Sequence, residues 1–136
     1  MSDAPSTTLS PMMRTASLVA GLFLAAVAVG CVEQPAMPDD CEATAVQRQA
    51  SLSGDRLDPE ALDVCKGQHV TIEITSQRAG DLHLHGYDEE APEVAVEPGD
   101  TATFAFTAAR AGQFVIELHT SSEGEIEVGL LTVHEP

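Results

Sequence analysis

The sequence predicts an all-β domain, a β-sandwich of about seven short strands. Three features lead there. Beyond residue 43 apolar and polar residues alternate at period two, turn residues interrupt the alternation at short intervals, and only residues 58–62 invite a helical turn. Val70-Thr71-Ile72-Glu73-Ile74 alternates cleanly and makes one strand. An extended segment through Leu82 and Leu84 stops at Gly86. Val94-Ala95-Val96 precedes the turn Glu97-Pro98-Gly99-Asp100, and residues 101–107 alternate around Phe104 and Phe106. Ala111-Gly112 opens a strand over 113–119, and residues 126–133 close the chain. Asp58-Pro59-Glu60-Ala61-Leu62 reads as one helical turn.

The N-terminal third carries a different message. Arg14 precedes an apolar run over residues 18–29 that ends in Ala28-Val29-Gly30-Cys31. The run is too short for a membrane-spanning helix of about 20 residues, and small residues before a cysteine suit the peptidase that cleaves lipid-modified precursors. Residues 1–30 therefore read as a bacterial lipoprotein signal peptide, with Met12 or Met13 as candidate starts and Cys31 as the lipidated first residue of the mature chain. An uncleaved N-terminal anchor is the alternative. Residues 31–42, with Pro35, Pro38 and two aspartates, read as a tether, and residues 43–136 as the sandwich. Cys41 and Cys65 are then an even pair in an oxidising setting and are expected to form a disulfide worth roughly 3 to 4 kcal/mol.

Formal net charge is -16, and Lys66 is the only lysine. Nucleic acid is excluded as a partner on that balance, and attachment to an anionic membrane must rest on the acyl chains. Asp88-Glu89-Glu90 with Glu93 lacks the alternating oxygen ligands and glycine of a calcium loop and reads as a solvated turn.

The chemistry concentrates in Asp81-Leu82-His83-Leu84-His85-Gly86-Tyr87-Asp88 and in Glu117-Leu118-His119. Residues i and i+2 of a strand share a face, about 6.5 Å apart, so His83 and His85 point one way, as do Glu117 and His119. Two such pairs on neighbouring strands converge on one ion. Leu82, Leu84, Phe114, Ile116 and Leu118 define the buried faces, which leaves the imidazoles outside the core unless Gly86 marks a bulge that turns His85 inward. Imidazoles completed by a glutamate make copper the expected metal, with zinc second, rather than magnesium or calcium. A His-x-His pair in a strand also fits a half-exposed polar face that holds nothing. His69 and His134 stand apart from the motif and read as structural.

Residues 43–135 resemble a small cupredoxin-like domain of the plastocyanin and azurin family, in particular the EfeO-type subgroup in bacterial lipoproteins. Lys66-Gly67-Gln68, His85-Gly86-Tyr87-Asp88, Glu97-Pro98-Gly99, the aromatic strand and Ala111-Gly112-Gln113-Phe114 fall in the family's order. The resemblance implies a Greek-key sandwich and carries over His85 as a ligand position. It also implies that the start of the His85 strand lies beside the end of the Phe114 strand, bringing His85 and His119 together. The position of the family's copper cysteine falls on Leu118. Thr120-Ser121-Ser122-Glu123-Gly124 supplies neither the downstream histidine nor the methionine of a blue-copper loop. A type 1 electron-transfer role is therefore not implied.

Two functions follow from these residues. One is an exported, lipid-anchored protein facing the periplasm or exterior that binds copper through His85 and His119, with His83 or Glu117 as third ligand. It would buffer copper or deliver it to a copper-handling protein. The other is an accessory sandwich that holds no metal. Catalysis is not expected, because no Ser-His-Asp arrangement, phosphate loop or His-Glu-x-x-His signature is present.

Overall fold

The computed structural model describes residues 36–136; the expected signal peptide and lipidated Cys31 lie outside the described residues. Nine strands follow in order: β1 (Ala45–Ser53), β2 (Arg56–Asp58), β3 (Ala61–Cys65), β4 (His69–Ser76), β5 (Gly80–Leu84), β6 (Val94–Val96), β7 (Thr101–Thr107), β8 (Gly112–Thr120) and β9 (Gly124–His134). The short β2 and β6, three residues each, help raise the count above seven. The strands form one sheet in the order β2-β1-β4-β7 and a second in the order β3-β9-β8-β5-β6. Successive strands from β2 to β5 alternate between the sheets, which is why β1 pairs with β4, and β3 with β9, in parallel while the other neighbours are antiparallel.

Alternation in the sequence becomes burial in the sandwich. Ala102, Phe104 and Phe106 of β7 face inward while Thr101, Thr103, Ala105 and Thr107 are exposed. With Val70, Ile72 and Ile74 of β4 they meet Leu82, Leu84, Ile116, Leu118 and Leu131 from the facing sheet in one core. Tyr87, the only tyrosine, is 2% exposed and packs against Phe106 of one sheet and Phe114 of the other, with ring centroids 4.4 and 4.9 Å away. It fastens the loop after β5 to the end of the core.

The expected helical turn at residues 58–62 does not form. Asp58 ends β2, and Ala61 begins β3, which runs parallel to β9. Two forces decide this: proline pushes the residue before it toward extended backbone, and Leu62 and Val64 alternate with exposed or half-buried neighbours to enter the core. Cys41 and Cys65 form the expected disulfide, with Cα atoms 5.3 Å apart. Within the segment read as a tether, residues 39–42 make a turn held to the domain. Buried Gln68 accepts the Cys65 N–H at 2.8 Å and donates to the carbonyls of Asp40 and Ala43 at 2.8 and 3.1 Å. Asp40 also pairs with Arg48 at 2.8 Å.

Candidate metal centre

β5 and β8 lie side by side inside the five-stranded sheet, and their antiparallel register sets His83 opposite Glu117, Asp81 opposite His119 and Leu82 opposite Leu118. Both leucines are fully buried, so the residues between them project from the outer face of the sheet. Gly86 does not turn His85 inward. It adopts φ +84° in the turn after β5, and His85 remains exposed, its N–H donating to the Val115 carbonyl at 3.0 Å. A side chain at Gly86 would meet the Phe114 ring at 2.7 Å, so the turn passes close over β8.

The register also corrects how His85 and His119 meet. The start of β5 does lie beside the end of β8, but that places Asp81, not His85, across from His119. The two histidines instead reach the same glutamate oxygen from either side: Glu117 Oε2 accepts from His85 Nε2 at 2.7 Å and from His119 Nε2 at 3.1 Å. His83 completes the group, its ring centroid 4.4 Å from that of His85 and 5.3 Å from that of His119. One ligand atom each from His83, His85, Glu117 and His119 lies within 4.8 Å of all the others.

Carboxylates outside the expected ligand set surround this group. Asp88 and Glu93, read as part of a solvated turn, stand against the rings, with Asp88 Oδ1 2.5 Å from His83 Nε2 and Glu93 Oε1 3.1 Å from His119 Nδ1. The signal available in the sequence was Asp88 lying just past Gly86, where a tight turn returns the chain toward its own strand. The hydrogen bond to Glu117 raises the His119 pKa above the ordinary imidazole value; burial opposes the rise, and Glu93 and Glu125 add to it. Burial opposes ionisation of Glu117, yet hydrogen bonds from His119 and His85 leave its carboxyl below the usual range. Asp88 is also lowered, chiefly by its hydrogen bond to His83.

The donor set fits a borderline divalent ion and does not fit a type 1 copper centre. Nitrogen ligands about 2.0 to 2.1 Å from an ion in tetrahedral array stand about 3.4 Å apart, so donors within 4.8 Å of one another need contract by at most about 1.4 Å. Among the described residues no thiol is within reach: Cys41 and Cys65 are joined to each other, and Leu118 lies in the core beneath the site. His134 pairs with Asp63 at 2.8 Å and His69 with Thr107 at 3.0 Å, both outside the group.

Similar folds recur in solved copper proteins. A blue copper oxidase from Nitrosomonas europaea superposes with a TM-score of 0.51 at 22% identity over 67% of this chain and 39% of its own. The copper nitrite reductase from the same organism gives 0.51 at 15% identity over 67% of this chain and 42% of its own. A copper binding protein solved in its apo form gives 0.53 at 12% identity, over 68% of this chain and 90% of its own. The chain thus spans about two fifths of the length of the oxidase and the reductase. No family model matches the chain, and no curated protein is significantly similar to it. The fold is a cupredoxin-like Greek-key β-sandwich.

Proposed function

We propose that this protein is an envelope-anchored metal-binding module that takes one Cu(II) ion through His83, His85, His119 and Glu117 and buffers or delivers it. The observation that carries the reading is the convergence of three imidazoles and a carboxylate on one face of β5 and β8. Nitrogen and oxygen donors without sulfur favour Cu(II) over Cu(I), and Cu(II) outcompetes zinc for most such sites. The site lies on an open sheet face, which suits exchange of an ion with a copper-handling partner better than enclosure of a substrate, so the reading is of binding rather than catalysis. The oxidase and reductase with similar folds are distant and longer. Export, Cys31 lipidation and attachment to the membrane through the acyl chains belong to the same proposal and rest on the N-terminal sequence. Nucleic acid has no place in it.

Titration of the purified protein with Cu(II) in a competing chelator tests the reading. One equivalent should bind without an intense blue thiolate band, and His85→Ala or His119→Ala should lose most of the affinity while His134→Ala keeps it. A second reading, an accessory sandwich without metal, draws on the fact that each imidazole of the group already has a carboxylate neighbour. Affinity no better than that of a scrambled acidic peptide decides for that reading.

A further inference from the structure

Asp88 and the orphaned nitrogen of His83 specify more than the identity of the ligands. Both oxygens of Asp88 are engaged: Oδ1 lies 2.5 Å from His83 Nε2 and Oδ2 accepts the Gly86 N–H at 3.2 Å. The loop that carries Asp88 is itself fixed, because Tyr87 is buried between Phe106 and Phe114 and the Ala91 N–H donates to the Tyr87 carbonyl at 2.7 Å. An ionised carboxylate only accepts, so Nε2 of His83 carries the hydrogen, and in the neutral ring Nδ1 is then the base. That Nδ1 is buried and has no hydrogen-bond partner. It lies 3.6 Å from the same Glu93 oxygen that stands 3.1 Å from His119 Nδ1.

We infer that Asp88 is a positioning residue that holds the Nε2–H of His83 and so makes Nδ1 its metal-ligating atom. The inference rests on the metal-binding reading above. His85 and His119 turn Nε2 toward Glu117, so all three rings of the group have a carboxylate beside one nitrogen. A carboxylate on the far nitrogen of a ligating histidine fixes the tautomer and ring orientation and raises the basicity of the donor. Glu93 stands in a similar relation to His119, through proximity to Nδ1 rather than a directed hydrogen bond. The remaining acids of the loop, Glu89 and Glu90, make no hydrogen bond or ion pair with the site histidines.

The test has two readouts on the full chain. Long-range proton–nitrogen correlation NMR of the metal-free protein reports the tautomer of His83, and chelator competition reports Cu(II) affinity. The wild type should show the Nε2–H tautomer. Asp88→Ala should mix the tautomers and weaken Cu(II) binding about 10- to 100-fold. Asp88→Asn, which keeps an acceptor oxygen, should restore part of both, and Glu89→Gln, which removes the same charge from the same loop, should change neither. An Nδ1–H tautomer in the wild type, an unchanged affinity in Asp88→Ala, or an equal loss in Glu89→Gln overturns the inference. A wild type that binds no copper overturns the metal reading and this one with it, whereas a copper-binding wild type with an indifferent Asp88→Ala overturns this one alone.

Discussion

Leu118→Cys places a thiol where the cupredoxin resemblance seats the copper cysteine, and the structure predicts that it will not make a blue copper site. Leu118 is fully buried, and its Cδ1 would stand 2.9 Å from a Cβ built on Gly80, so its isobutyl group fills space directly against the β5 backbone. Glu117 and His119 alternate with it along β8 and face the other way. The new thiol would hang in the core with the β8 backbone between it and the imidazoles. Loss of about two methylene equivalents at about 0.8 kcal/mol each, with a modest cavity term, destabilises the domain by about 2 kcal/mol. At an unfolding entropy of about 2.1 cal/mol/K per residue over roughly 100 residues, that lowers Tm by about 10 °C. Thermal denaturation followed by circular dichroism and visible absorption during Cu(II) titration measure the two effects. The expected outcome is a lower Tm, one copper bound as in the wild type, and no intense blue band. A strong thiolate-to-copper band with Tm unchanged refutes the reasoning, because the thiol would then share a face with the histidines.

Three further outcomes follow from the same geometry. In the metal-free protein the contribution of His119, whose pKa is raised, is complete below about pH 6.5 and is lost as pH rises through its folded value, while Glu117 and Asp88, whose pKa values are lowered, contribute above about pH 4 and lose that on acidification. Urea midpoints should therefore fall from mildly acidic to mildly alkaline pH, and His119→Gln should flatten that limb; a wild-type midpoint that rises there contradicts the assignment. Copper affinity moves the opposite way over the same interval, because the imidazoles must release protons to coordinate. Reducing Cys41–Cys65, separated by 24 residues, should cost about 3.5 kcal/mol in the chain-entropy model, read as a guanidinium midpoint shift with copper affinity retained. Gly80→Ala would bring a Cβ within 2.6 Å of the His119 carbonyl at a backbone φ of +151°, so it should both destabilise the domain, by about 2 kcal/mol or more, and weaken copper binding by spreading β5 from β8. A Gly80→Ala protein with native stability and affinity would show that the two strands are not tightly apposed there.

The side to which each residue points was legible in the sequence, because a strand alternates its side chains whatever its partner is. Leu82, Leu84, Ile116 and Leu118 turn inward and His83, His85, Glu117 and His119 outward for that reason alone, and the sandwich class follows from repeating the pattern between turns. The cysteine pair was equally legible, since two thiols in a chain expected to be exported have few other partners. Local pattern failed at residues 58–62, where a short segment suggested a helical turn and pairing of β3 with β9 imposed a strand. Register was decided only in three dimensions, because which residue of β5 faces which residue of β8 depends on a pairing between segments some thirty residues apart. That pairing makes Glu117, rather than direct adjacency, the link between His85 and His119. The loop after Gly86 belongs to the tertiary structure for a related reason: burial of Tyr87 between the two sheets holds the chain where Asp88 meets His83, a contact that no spacing rule along one strand encodes.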